Sequence, residues 1–593
     1  MPRADPTARV DPAVLAWASA AVRHTARVTN MLLAARRFRI VGGDPRDVAV
    51  LHDLLTGLGA RPADDATGVD QLWCLGTPEE SVTAVEQATA DRPRRSTLLV
   101  IDAGRHVPAV DEDAFGPTAL ARPGVLGVPT TSDDVFLVST GRDPEDDPAA
   151  EARIRWARRS MPVSRAVADD LRQGGLLRGT RIGVSLFLEP KTAVLALLLQ
   201  DAGAEVVAYA HADETDDAVA DVLRRTGIPV HASSTASVSE QRDLALAMLD
   251  TRPHVLLDDG SHVIRLVHQE RPELLPTMLG AAEETTSGLR PLRVMASGGE
   301  LGIPVVAVND ARTKTFFDNR YGTGQSTVFA ALDLLDGLDM TVRALVPGPT
   351  PPVPDRRVSD GPAVPVGRGS AVVAGYGHVG EGVALVLRAL GFRVTVADPD
   401  PVRALQALFA GYTVAPLTEA VRDADLVMSA SGVPDTISLA VLQACAPGTV
   451  VAVAGGVDQE VAIGDAVAAG AVRTQIGRKV ERVSLPDGAH VLLLDGGGCI
   501  NITAAEGNPI EIMDLSFAAQ LGAVRMLVER GDELERAVVP IDPEVDAVTA
   551  RAALAAFGTV VEPPGSPVGT TWPTAQPVDR APDVRTRRFG DPA

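Results

Sequence analysis

Lysine is almost missing from this chain. Among 593 residues, Lys191, Lys314 and Lys479 are the only ones, so arginine carries nearly all the positive charge. Cysteine is as scarce: Cys74, Cys445 and Cys499 stand far apart, which excludes a disulfide framework and a cysteine-rich zinc site. Positive charge is in deficit overall, 55 Lys and Arg against 77 Asp and Glu, a net −22. That balance argues against nucleic acid or an anionic membrane as partner, since both are polyanions. Long apolar runs are absent too. "TAVLALLL" is far shorter than a membrane span, and the leading "MPRADPTARVDPA" has no apolar signal core. These absences lead us to expect a cytoplasmic protein with reduced cysteines and no resident metal.

What remains is the composition of a folded protein, 46% hydrophobic and 22% charged. The length predicts three or four domains of about 150 residues. Short apolar runs such as "TRIGVSLF", "HVLLDDG", "SAVVAGYG" and "TVVAVAG" alternate with Ala/Leu-rich helical stretches. The fold class expected is therefore α/β, with doubly wound parallel sheets. Proline-rich breaks fall at 141–151, 346–367 and in the tail. The expected division is an extra N-terminal α/β domain over 1–145, a substrate domain over 150–345, a Pro-rich linker over 346–367, a Rossmann domain over 368–500, a return to the substrate domain over 501–560, and a tail over 561–593. Residues 15–60 read much like 154–204, and "LLVIDAGRHV" (98–107) echoes "VLLDDGSHV" (255–263). Either these are two ordinary βαβ segments, or the N-terminal domain is a degenerate repeat with Ala103 where the second copy has Asp259.

"SAVVAGYGHVGEGVALVLRALGFRVTVADPD" (370–400) predicts a strand, a glycine turn, a helix and a second strand ending in an acid. Gly375 permits the tight turn, Gly377 lets the backbone approach a pyrophosphate, and Gly380 allows close helix packing. His378 and Val379 open the helix whose free N–H groups would meet the phosphates. Asp398 is placed for an adenosine ribose and favours NAD over NADP; nearby Arg403 weakens that preference.

Lys314 poses the sharper question. It stands in "VNDARTKTFFDNRYG" (308–322), four residues before Asp318, in a chain that otherwise uses arginine. An amine that can lose its proton is the one property arginine cannot supply. Together with "LLDDGSHVIRLVHQERPELLP" (256–276), "EETTSG" (283–288), the glycine turn and "RALQALFAGYTV" (403–414), this segment resembles the S-adenosylhomocysteine hydrolase family from about residue 150 to 560. The resemblance implies a bound NAD that oxidises a ribose 3′-hydroxyl, loss of the C4′ proton, departure of the 5′ thiol, addition of water, and reduction back. Carried over position by position, it implies a substrate-site role for Asp259, organisation of the ribose hydroxyls by Glu284, and 3′-hydroxyl chemistry for Lys314 and Asp318. It implies cofactor contacts for Thr285, Thr286, Ser287, Ser431, Asn319 and Asn501, the last two near the nicotinamide. It also implies a homo-oligomer.

The chain departs from the family pattern in one direction. Phe187 stands for the histidine of "His-Met-Thr" and Glu189 for its threonine; Lys191 takes a position that usually contacts adenine as Glu or Gln. Gly456 and Asn508 replace two later histidines, "ADETDD" replaces "STQD", and the tail lacks the family's Lys and Tyr. Lys191 introduces a cation answered either by Glu189 or by an anionic or carbonyl-bearing substrate. We expect an NAD-dependent enzyme that oxidises a nucleoside-like substrate and continues by epimerisation, elimination or exchange, with Glu189, Lys191 and Asn508 on the substrate. The alternatives are a genuine S-adenosylhomocysteine hydrolase and a non-catalytic NAD-binding regulator.

Overall fold

Short strands alternate with helices throughout the computed structural model, which describes residues 11–64, 68–90, 97–128, 134–139, 150–336, 338, 369–455 and 459–559. The linker 346–367, residues 141–149, Gly456 and the tail 561–593 lie outside these described residues. Helix starts follow local chemistry. Asp44 and Asp400 cap the helices Pro45–Gly57 and Pro401–Phe409, each with proline in its first turn. Ser237 and Glu240 form a capping box on Val238–Leu249. Among the described residues no helix is long and apolar enough to cross a membrane.

Three sheets result. In the middle sheet the strands Val230–His231, Glu205–Tyr209, Arg181–Ser185, Val255–Asp258, Gly280–Glu283, Val305–Ala307 and Val538–Pro540 lie in that order, all parallel. The sheet near the C-terminus runs Thr413–Val414, Arg393–Ala397, Ser370–Ala374, Leu426–Ser429, Thr449–Val453 and His490–Leu494 in parallel, then adds Val480–Ser484 and Val472–Gly477 antiparallel. Both orders reverse beside their first strand, which opens a crevice at the carboxyl ends of the strands. The chain re-enters the middle sheet after completing the other one, through the long helix Ile510–Arg530 and the strand Val538–Pro540.

The N-terminal sheet runs Arg61–Pro62, Arg37–Val41, Gln71–Cys74, Leu98–Asp102 and Val135–Ser139 in parallel, closed by antiparallel Val125–Gly127 and Ala119–Arg122. Its order corrects the internal comparison. Next to the first strand lies Gln71–Cys74, and Leu98–Asp102 is one place further out, where the middle sheet has Gly280–Glu283. Ala103 therefore corresponds in topology to Glu284 and not to Asp259. The two echoing stretches thus sit at non-equivalent places in their sheets.

One apolar core runs through all three layers, from Phe38, Leu51 and Trp73 through Val184 and Leu257 to Val328, Val373 and Leu387. Each such side chain contributes about 1.5–3 kcal/mol by burial. The helix Thr323–Asp336 crosses His378–Ala389 at two glycines. A Cβ at Gly382 would stand 1.8 Å from Arg320 O, and one at Gly324 2.7 Å from the Gly382 backbone. That crossing brings the two crevices face to face.

Candidate active site

A cavity of about 770 Å³ lies between the two crevices. Its walls come from strand ends. Phe187 and Glu189 follow Arg181–Ser185, Asp259 follows Val255–Asp258, Glu284 and Thr285 follow Gly280–Glu283, and Ser431 follows Leu426–Ser429. Two short helical turns, Arg312–Thr315 and Asp318–Gly322, bring Lys314, Asp318 and Asn319 into the same space. The second is π-helical, a distortion often found at functional sites.

Lys314 is 2% exposed and donates to Asp318 Oδ2 at 2.7 Å and Asn319 Oδ1 at 3.0 Å. Burial works against its ammonium, but Asp318 and Glu284 outweigh burial and hold its pKa above the ordinary lysine value. The ammonium form of Lys314 is thus the favoured one at rest. The carboxyls show the opposite effect. Burial pushes Asp259 up to about 6 and Glu284 up to about 7, each opposed by Lys314. Ser516 and Gln520 of the long helix both donate to Glu284, while the Gln520 carbonyl oxygen is buried without a partner. A rotated Gln520 amide would let protonated Glu284 donate in turn. The site thus holds one committed ammonium beside two carboxyls able to bind protons near neutral pH.

The glycine turn fits a dinucleotide. Gly375 has φ +96°, and a Cβ there would meet Ala430 O at 2.8 Å; at Gly380 it would meet Gly375 O at 1.9 Å. Around Gly377 the nearest atom to such a Cβ is Arg403 Nη1 at 3.8 Å, so the cradle above the turn is open. The helix His378–Ala389 has no side-chain cap, which leaves its first N–H groups for an anion. Gly377, His378, Val379, Arg403 and Ser431 line the cavity. Asp398 does not. Its carboxylate accepts from Tyr376 N at 2.6 Å and Asp400 N at 2.8 Å and so fixes the turn itself. Across the cavity, Thr286 donates to Asn309 at 3.1 Å, and Ser287 donates to Thr285 at 3.2 Å, which caps the helix Thr286–Ser297. These residues would hold NAD, and the groups present fit it.

Asn508 is a hub. Its amide donates to Asp318 Oδ1 at 2.6 Å and Thr323 Oγ1 at 3.1 Å, and its carbonyl accepts from Ser326 at 2.7 Å and Asn501 at 3.2 Å. All its groups are thus spent inside the protein, on the lysine's own partner. Lys191 is also committed inward: its ion pair with Glu189 is 2.8 Å, and Asn30 Oδ1 and Glu506 O accept its other bonds at 2.9 and 2.8 Å. Glu189 thus answers the Lys191 cation, and with three acceptors already in place the ammonium has no proton left for an anionic or carbonyl-bearing substrate. Phe187 lines the cavity as a hydrophobic wall.

Several supporting residues are not singled out from the sequence. Fully buried Glu283 accepts from Gly260 N and Ser261 N at 3.0 and 2.9 Å, and Asp258 from Val263 N and Ile264 N at 2.9 and 2.8 Å; together they tie down the turn that presents Asp259. Glu460 does the same for Ser431 and Gly432 N. An Asp-Asp and a Glu-Glu pair on adjacent strand ends were the available signal: one acid of each pair points into the turns and the other into the cavity.

Comparison with known proteins identifies the family. Residues 142–278 match the family described as S-adenosyl-L-homocysteine hydrolase, and residues 357–507 match its NAD binding domain. An adenosylhomocysteinase of Thermotoga maritima is 37% identical over 413 residues, 70% of this chain and 96% of that protein. One from Thermoplasma acidophilum is 35% identical over 408 residues, 68% and 93% respectively. An S-inosyl-L-homocysteine hydrolase of Methanopyrus kandleri is 36% identical over 425 residues, 71% and 93%. The chain belongs to the S-adenosyl-L-homocysteine hydrolase family and is an NAD-dependent enzyme.

Proposed function

We propose that this protein oxidises a secondary, ribose-type 3′-hydroxyl of a nucleoside-like substrate and then carries out elimination, epimerisation or exchange beside the new ketone. The observation that carries this reading is the buried Lys314–Asp318 pair, 2.7 Å apart, set between the glycine cradle and Glu284. Bound NAD supplies a hydride acceptor for the carbon that bears the hydroxyl. The chain's own residues manage the protons. Lys314 can take the hydroxyl proton once it has passed one of its own to a neighbouring carboxylate, and Glu284, with a pKa of about 7, can store it. Asn508 and Asn319 hold Asp318 and Lys314 in register while this occurs. Asp259, at about 6, serves the proton beside the ketone in the following step. Subunits are proposed to associate as a homo-oligomer in the cytoplasm.

A second reading has a specific observation in its favour. The relatives at 35–37% identity include adenosylhomocysteinases and an S-inosyl-L-homocysteine hydrolase, so hydrolysis of such a thioether nucleoside is the competing overall reaction. Asn508 and Phe187, in place of proton-relaying histidines, make rapid homocysteine release the less favoured outcome. The test is absorbance near ~340 nm, where reduced cofactor absorbs. The holoenzyme would be mixed in turn with adenosine, S-adenosylhomocysteine and S-inosylhomocysteine. Cofactor reduction with little thiol release supports the first reading, and stoichiometric, repeated thiol release supports the second. No reduction with any of the three overturns 3′-oxidation of these nucleosides.

A further inference from the structure

The family-matched regions begin at residue 142, yet one wall of the cavity is held from outside them. Lys191 is 1% exposed, and its three ammonium protons meet Glu189 Oε2, Glu506 O and Asn30 Oδ1 at 2.8–2.9 Å. Asn30 ends the N-terminal helix Pro12–Thr29 in the left-handed conformation, at φ 50°. Asparagine tolerates that backbone better than most residues, and it turns both polar groups of Asn30 inward. The side chain accepts from Lys191 while the main-chain carbonyl accepts from Ile510 N at 2.9 Å.

The neighbours of Asn30 extend the grip. Thr29 O accepts from Trp156 Nε1 at 2.8 Å and from Arg122 at 3.2 Å, and Arg122 reaches the Glu506 carboxylate at 2.6 Å. Leu32 N donates to Glu511 Oε2 at 3.0 Å, and Leu33 N to Gln325 Oε1 at 3.0 Å. Burial would raise the Glu506 pKa, but Arg122 and Lys191 outweigh it and keep the group low, hence ionised. The segment 29–33 is therefore a clamp on residues 501–511, whose Asn508 holds Asp318 at 2.6 Å.

We propose that Asn30 is a positioning residue of the reaction site, so that the N-terminal domain completes the cavity by fixing Lys191 and the 501–511 loop. The inference rests on the reading that the enzyme oxidises a nucleoside hydroxyl. Without the Asn30 side chain one proton of a buried ammonium loses its acceptor, and hydrogen bonds to charged groups are the costly ones to leave unmade. Lys191 must then shift toward Glu189 or admit water, and the loop that carries Asn508 moves with it.

The test compares the NAD-loaded wild type with Asn30→Gly and Asn30→Asp. Glycine keeps the left-handed backbone and the carbonyl to Ile510 while removing the acceptor for Lys191; aspartate restores an acceptor. The probe is adenosine, with cofactor reduction followed against its concentration, and amide hydrogen exchange is read over residues 499–511. Asn30→Gly should retain bound NAD and need about tenfold more adenosine for half-saturation, the cost of one charge-assisted bond. Its 499–511 amides should exchange faster, and Asn30→Asp should reverse both changes. Wild-type adenosine dependence in Asn30→Gly, or unaltered exchange over that loop, overturns the proposal. If the wild type itself shows no cofactor reduction with adenosine, the functional reading fails for that nucleoside, and the exchange measurement alone decides whether Asn30 holds the loop.

Discussion

Lys314 and the carboxyls around it share the protons on which the chemistry depends. Lys314→Met keeps the approximate volume and removes the exchangeable proton. NAD should remain bound at wild-type stoichiometry while cofactor reduction falls by at least ~100-fold, the usual range for losing a positioned acid–base group. Stopped-flow absorbance beside cofactor quantification would check this, and undiminished reduction would remove Lys314 from its role. Glu284 gives a pH prediction. Burial raises its pKa from 4.5 to about 7, so the folded protein favours its neutral form. That stabilisation is complete below the unfolded value and is lost as pH rises through about 7. It amounts to on the order of 3 kcal/mol at ~1.4 kcal/mol per unit. Glu284→Gln mimics the neutral form, so its melting temperature should match wild type at pH 5 and exceed it at pH 8; a constant difference across that range would contradict the argument. Lys314 was legible in the sequence because arginine replaces lysine almost everywhere else. For Lys191 the sequence showed the partner two residues away, Glu189, but not Asn30, which lies 161 residues away.

At the level of elements, the strand ends and the loops after them explain why the site was readable at all. Parallel strands in α/β sheets place their carboxyl ends at one crevice, so "DDG", "EETT" and "VND" at three successive strand ends had to converge. Sequence order gave no such help with the 501–511 loop. Its role depends on the long helix Ile510–Arg530 and on bonds to residues nearly 200 positions away, as from Asn508 to Asp318. Asp398 shows the converse: the motif located it correctly at the end of its strand, but its carboxylate holds the glycine turn. For Asn508 we expect Asn508→Ala to slow cofactor reduction by ~5- to 150-fold. Leaving Asp318 without this donor costs about 1–3 kcal/mol of positioning. Asn508→Asp should be worse at neutral pH, because it sets a second carboxylate where the present distance to Asp318 is 2.6 Å, and it should recover as pH falls and the new pair shares a proton. Pre-steady-state rates across pH 5–8 would show the recovery; a pH-independent defect equal in both variants would rule out the electrostatic part.

For the whole molecule, the question is whether the N-terminal domain is an accessory or a part of the enzyme. The 413 residues matched to the Thermotoga maritima protein account for 96% of it, so that relative has little room for such a domain. Here the domain shares one continuous core with the other two sheets, including the edge-on contact of Phe136 with Trp156 at 4.9 Å between ring centres. Its removal would do more than expose that apolar surface. Glu506 would lose Arg122, Glu511 would lose Arg36, and Lys191 would lose Asn30, one of its three acceptors. Exposing the shared apolar core costs about 1.5–3 kcal/mol per large side chain, and a domain's net stability is only about 5–15 kcal/mol. A chain beginning at residue 150 should therefore aggregate or fail to retain NAD, although it contains every residue matched to the family's reaction. Supplying residues 1–149 as a separate polypeptide during expression should restore soluble, NAD-containing complex, because the contacts are non-covalent. Size-exclusion chromatography with cofactor content would read both outcomes. A soluble, NAD-loaded protein from residue 150 alone, reducing its cofactor with adenosine as fast as the full chain, would show that the domain is an accessory.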